Sequence, residues 1–215
     1  MEQTKKKMRG KWFIMSLVGL ILLAGVVGYF LNDKYNWISS VSTTPNYDYT
    51  PDQFTAMDLS IFDTKKKKQI GYGMEKPEVE RIIGKPIDKG MEFPASHPLE
   101  SLVYPDGLQI VYRLDRVVEI IVSADGLNRY VTMRNIGLSN GPNDHLVVYG
   151  LKPTVSSEDW DTYLFEKINN SFKKLNENAY AENQDLTVYQ ISFQRENGKL
   201  VSISISDMLF AVKHY

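Results

Sequence analysis

The chain has 215 residues and no cysteine, which removes disulfides, cysteine-type structural zinc, thiol catalysis and lipid attachment through a cysteine. Hydrophobic residues make up 43% and charged residues 24%, the balance of a globular protein with an ordinary core. The formal net charge of −1 hides a segregation: Lys5, Lys6, Lys7, Arg9 and Lys11 precede Trp12, leaving the remainder mildly acidic and without the basic face that nucleic-acid binding requires.

The five cations lead into residues 12–31, WFIMSLVGLILLAGVVGYFL, an uncharged run of about 20 residues, the length a helix needs to cross a bilayer. A transmembrane signal anchor is expected there, in preference to a cleaved signal peptide, for which Val26-Val27-Gly28 is a weak site. The positive-inside rule puts residues 1–11 in the cytoplasm as a basic tail, giving a single-pass protein of the cell membrane with an extracytoplasmic C-terminal body. Residues 32–53, rich in Asn, Ser, Thr and Tyr with Pro45 and Pro51, read as a tether. Residues 54–62 read as a short entry strand, and residues 63–68 as a turn. The four lysines of that turn are either a solvated loop or a contact for an anionic surface.

The body divides into two units by an internal repeat. QIGYGMEKPEVERIIGKP, residues 69–86, returns as NIGLSNGPNDHLVVYGLKP, residues 135–153, with Gly71 on Gly137, Ile82 on Val148 and Gly84 on Gly150. In the first unit, residues 54–134, Pro77 in a first turn, the apolar positions Val79, Ile82 and Ile83, and the stop at Gly84 predict a short helix over 75–83. Strands over 101–104, 108–114 and 116–123 follow as an antiparallel meander, the last apolar on both faces and therefore central. In the second unit, residues 135–215, a helix is expected over 142–149. A longer amphipathic helix is expected over 157–176, because Trp160, Leu164, Ile168, Phe172 and Leu175 share one helical face behind Ser156-Ser157-Glu158-Asp159. A hairpin over 186–194 and 199–206 closes the unit through Asn197-Gly198. Gly84 and Gly150 are expected in a left-handed conformation at helix ends. The fold class is therefore α+β: a transmembrane helix, then two tandem helix-plus-meander units sharing a sheet.

Ile70-Gly71, Met74, Glu78-Val79, Ile82-Ile83-Gly84-Lys85-Pro86 and Tyr104-Pro105-Asp106-Gly107-Leu108 together resemble the small BamE (SmpA/OmlA-like) envelope proteins. A tandem pair of such units is similar in arrangement to the β-lactamase inhibitory proteins, which bind their target on one face of a joined sheet. This chain has neither the lipid-attachment cysteine of the first family nor the disulfide cysteines of the second.

His97, His145 and His214 have no second ligand at helical spacing, so no metal site is expected, and the absence of nucleophile, zinc-protease and phosphate-loop motifs points to no cofactor and no enzyme. The 13 tyrosines offer contact area at low entropy cost, and a possible interaction surface is placed on Tyr72, Tyr104, Tyr112 and Trp160. The expected function is a membrane-anchored extracytoplasmic binding or scaffolding module of a bacterial envelope, recognising a protein partner. Inhibition of an envelope or secreted hydrolase and binding of a wall polymer are the alternatives.

Overall fold

The computed structural model describes residues 48–93, 99–123, 129–176 and 187–208. A 3-10 turn, Ala56–Leu59, leads into β1 (Ser60–Asp63), β2 (Lys68–Gly71), helix α1 (Lys76–Ile83), β3 (Asp88–Lys89), β4 (Leu99–Tyr104), β5 (Leu108–Arg113) and β6 (Arg116–Ser123). Then come β7 (Tyr130–Thr132), helix α2 (Asp144–Tyr149), β8 (Val155–Ser156), β9 (Trp160–Ile168), β10 (Ser171–Lys174), β11 (Val188–Glu196) and β12 (Lys199–Asp207).

Two antiparallel sheets result. The larger has nine strands in the order β10-β9-β11-β12-β6-β5-β4-β3, with β8 paired to β9, and the smaller has the order β2-β1-β7. The large sheet is arranged about its β6–β12 pair, where Ile120 faces Ile205 and Ser206 faces Glu119, so strands from both halves of the sequence meet at one seam. One face is apolar row by row. Tyr163, Ile191, Ile205, Ile120, Ile110 and Leu102 lie across it in register, and every one is buried. The small sheet and α2 pack on this side: Tyr72 follows β2 and reaches Asp207 of β12, and His145 of α2 stacks on Phe193 of β11.

The structure corrects three expectations. First, the described chain is chiefly β-sheet, its two α-helices holding eight and six residues, and it is not an α+β assembly of helix-plus-meander units behind a membrane helix. No helix among the described residues is long and apolar enough to cross a membrane; the run over 12–31 lies outside the described residues, and the transmembrane and signal-anchor expectations are withdrawn.

Second, the amphipathic helix over 157–176 does not form; the segment is the β9–β10 hairpin preceded by β8. Ser157 does act as a cap, but of a turn: its backbone bonds to the Trp160 carbonyl at 2.8 Å, and its hydroxyl accepts from the Trp160 N–H at 3.2 Å. Asn169 takes φ 56°, a left-handed turn that a short polar side chain tolerates, and this breaks the helical period between Ile168 and Phe172. A strand places Tyr163 and Phe165 on the apolar side and Leu164 on the other, where it packs with Val188 and Met208, so all three are buried at once. A single helical stripe would have left Tyr163 and Phe165 in water.

Third, Gly84 and Gly150 do stand at helix ends with positive φ, 95° and 123°, but their ψ values of −176° and 142° are extended rather than left-handed helical. That region belongs to glycine. A Cβ at Gly84 would meet nothing within 4 Å, whereas one at Gly150 would collide with the Asp52 carboxylate. Gly150→Ala should therefore lower stability by more than Gly84→Ala, about 1–3 kcal/mol for the strain with the collision added. Urea denaturation midpoints of the two variants check this ordering.

Candidate binding surface

Burial decides where the anticipated aromatic surface lies. Tyr72, Tyr104 and Tyr112 are buried and belong to the core, a correction to their placement on an interaction surface. They pack on the apolar side because their hydroxyls find partners there: Tyr72 donates to Asp207 Oδ2 at 2.9 Å, and the Tyr104 and Tyr112 hydroxyls lie 2.7 Å apart. Burial, with the charge of Asp207 next, raises the Tyr72 pKa well above its ordinary value, so this phenol stays protonated. Of the four residues, Trp160 is the exposed one, at 45%.

Polar groups inside the body form clusters that hold segments together. Arg134 binds Asp58 through Nε at 2.6 Å and Nη2 at 2.9 Å, both side chains fully buried. Its remaining hydrogens reach the carbonyls of Val148 at 2.6 Å, Gln53 at 2.5 Å and Thr50 at 3.4 Å. Arg129 joins Asp63 and Asp106, and Arg113 joins Asp207.

A fourth cluster brings together a serine, a histidine and an aspartate, but in an order that gives no nucleophile. Ser156 Oγ donates to Asp161 Oδ1 at 2.5 Å, while His145 Nε2 lies 2.8 Å from Asp161 Oδ2 and Arg195 binds the same oxygen. Here the hydroxyl's immediate partner is a carboxylate already bonded by Arg195 and His145, too weak a base to draw its proton, and the imidazole is not in reach of it. Burial holds the His145 pKa below its ordinary value despite Asp161. Burial opposes ionisation of Asp161 as well, yet the hydrogen bonds from Ser156, Arg195 and His145 together hold its pKa below the ordinary carboxylate value. Among the described residues no group of three or more His, Cys, Asp or Glu is placed to hold a metal ion.

The outward face of the large sheet is different in kind. Its registers define two adjoining rows. Thr162, Ser192, Ser204, Ile121, Gln109 and Val103 form one, which ends at the sheet edge on the exposed Asp88 of β3 opposite Val103; Trp160, Gln194, Ser202 and Ser123 form the other. None of the ten positions inside that edge carries a charge, and all are half-buried or exposed. Some of the polar groups satisfy one another, with Thr162 and Ser192 hydroxyls 2.8 Å apart and Gln109 Nε2 donating to Ser101 Oγ at 2.9 Å. The next row, Leu164, Gln190, Ser206, Glu119, Val111 and Ser101, is largely buried, with Met208 over Leu164 at one end and Gly90 against Ser101 at the other. Glu119 sits in that row 6% exposed; Oε2 has no hydrogen-bond partner among the described residues, and burial, then the charge of Asp207, pushes its pKa up to about 8.

The tyrosine count does not point to this surface. The signal that does is Ser202-Ile203-Ser204-Ile205-Ser206, a strict period of two that puts isoleucine in the core and serine outward.

No protein-family model matches the chain, and no curated protein sequence matches it. Among solved structures, the crystal structure of a cysteine-rich secretory protein from Staphylococcus aureus is similar at 9% identity, with a TM-score of 0.40. The alignment covers 78% of this chain and 50% of that one, so this chain spans about half of that protein's length, and a likeness at this level carries no argument about activity.

Proposed function

We propose that the protein is a non-catalytic, extracytoplasmic binding module that docks a protein partner on the uncharged rows of its nine-stranded sheet. The observation behind this reading is the run of ten adjoining sheet positions without a charge, in a chain where 24% of residues are charged. An ordinary solvated sheet face alternates core residues with lysine, glutamate and arginine; a face meant to be covered avoids them, because each would have to be desolvated. Serine and threonine also lose little rotamer freedom on docking, which lowers the entropic cost of association. Trp160 at the rim supplies the large aromatic contact that interfaces concentrate at their hot spots.

The choice of a protein follows from charge. A wall polymer bearing phosphate or carboxylate would need cations, and these rows have none. Lysines before an uncharged N-terminal run support a location outside the cytoplasm. In this reading the two halves of the sequence contribute β3–β6 and β8–β12 to one sheet and join at β6–β12. The test is a photo-crosslinking amino acid at Ser202, with Lys85 as a control site, in intact cells. A discrete protein adduct from Ser202 and none from Lys85 is expected. Equal adducts from both sites, no adduct, or adducts to polysaccharide would overturn the reading.

A further inference from the structure

A second surface lies on the other side of α2. An open groove of about 690 Å³ is walled by Pro51 and Asp52 together with Lys174 of β10, which contacts Asp52, and has Val147, Leu151 and Lys152 along it. Its geometry is fixed from below. His145 and Tyr149 turn inward from α2 against Phe193 and Tyr163, which leaves Val147 outward, 68% exposed. Gly150 then swings the chain at positive φ and puts Leu151 outward, 77% exposed. Arg134 draws the carbonyls of Thr50, Gln53 and Val148 together, and the Asp52 N–H bonds to the Tyr149 carbonyl at 3.0 Å, so the wall and the helix are tied to each other. The groove is thus preformed rather than assembled on binding.

Its charges do not cancel. Asp52 is held by Lys174, whose ammonium also meets the Lys152 carbonyl. Lys152 makes no ion pair among the described residues, so the rim carries one positive charge beside two exposed aliphatic side chains, on a body that is acidic overall. Apolar contact with a cationic rim matches a ligand that is apolar at its tip and anionic beside it. We infer that the groove docks an acidic peptide segment of a partner protein, inserting one large apolar side chain between Val147 and Leu151 with a neighbouring carboxylate on Lys152. This site is separate from the uncharged sheet rows and stands whether or not they bind.

The test uses the full-length protein and a fluorescein-labelled octapeptide, Gly-Glu-Glu-Leu-Phe-Glu-Glu-Gly, read by fluorescence anisotropy. A second octapeptide has lysine in place of every glutamate, and sodium laurate serves as a non-peptide amphiphile. The acidic peptide is expected to bind at least tenfold more tightly than the basic one. Leu151→Ser should weaken it at least tenfold, and Lys152→Glu should weaken it several-fold with loss of its salt dependence. Both positions are exposed, so both variants should retain the parent circular dichroism spectrum. Ser204→Arg, on the sheet rows, should bind the peptide as the parent does. Equal affinity for the two peptides, undiminished binding by Leu151→Ser, loss of binding in Ser204→Arg, or binding of laurate without the peptide would each overturn the inference.

Discussion

Replacing Arg134 by methionine should cost about 3–5 kcal/mol, the range for removing one partner of a buried ion pair, and more if the stripped carbonyls find no water. The guanidinium has no accessible surface and neither has its partner Asp58, so the substitution leaves a carboxylate inside the body without its counter-charge. It also removes the donor to the part-buried carbonyls of Val148 and Gln53, at up to about 1–3 kcal/mol for each that finds no water, whereas the Thr50 carbonyl keeps the Gln53 N–H at 3.1 Å. The rings of Tyr149, Tyr49 and Phe54 lie 4.5, 5.1 and 5.3 Å from the guanidinium carbon and would lose a cation–π partner too. Against a total stability of about 5–15 kcal/mol for an ordinary domain, this is a large fraction. Asp58→Leu combined with Arg134→Met should recover the part due to the stranded charge but not the part due to the carbonyls. Guanidinium denaturation of the parent, both single variants and the double variant separates the two. A double variant as stable as the parent would show that the carbonyl contacts contribute nothing.

The second large effect is a pH dependence carried by Glu119. Its carboxyl is buried beside Ser206 and Val111 at the seam of the two half-sheets, with Oε2 unpaired among the described residues and the pKa pushed up to about 8. In the unfolded chain the same group titrates near 4.5. A raised folded pKa means that the native state holds its proton where the unfolded state has lost it. The contribution of this group is therefore fully present below about pH 4.5 and is lost as the pH rises through about 8. Over that window its share of stability should fall by roughly 1.4 kcal/mol per pH unit. Glu119→Gln keeps the shape and removes the titration, so the variant should gain on the parent steadily between pH 5 and pH 8 and stay level above it. Denaturation midpoints of the two proteins at pH 5, 6.5 and 8 check this; parallel curves would mean that Glu119 is ionised in the folded state.

What the sequence disclosed was local. Asn197-Gly198 marks the β11–β12 hairpin because both residues take positive φ, 51° and 72°, the pair a two-residue turn demands. Pro77 and Gly84 bracket α1 within a residue or two of its ends, since one tolerates only a first turn and the other a positive φ. The segment over 157–176 was misread because apolar residues at Leu164 and Ile168 fit a helical period, while Tyr163 and Phe165 between them fit a strand buried on both sides. Only the neighbours decide, and these are β11 and the aromatic ring of Phe54, far away in sequence.

The tyrosines show the same limit. Tyr72 lies 135 residues from Asp207, the partner that draws its hydroxyl inward, and no local pattern announces such a pair. The uncharged rows were within reach of sequence reading, since Ser202, Ser204 and Ser206 alternate with isoleucine. A preference for aromatic residues as the mark of an interface hid them. The buried charges, Arg134 with Asp58 and Arg129 with Asp63, leave no local mark, because the partners lie 76 and 66 residues apart in sequence.

The central claim, that the uncharged sheet rows bind a protein, is tested most directly by a single charge placed in their middle. Ser204 lies between Ser192 and Ile121 and is half-buried, so an arginine there can reach solvent when the face is free and must be desolvated when it is covered. The measurement is the yield of the Ser202 photo-crosslinked protein adduct in cells expressing Ser204→Arg, normalised to the amount of folded protein. The account predicts a loss of at least tenfold with an unchanged thermal midpoint; an undiminished adduct would contradict it.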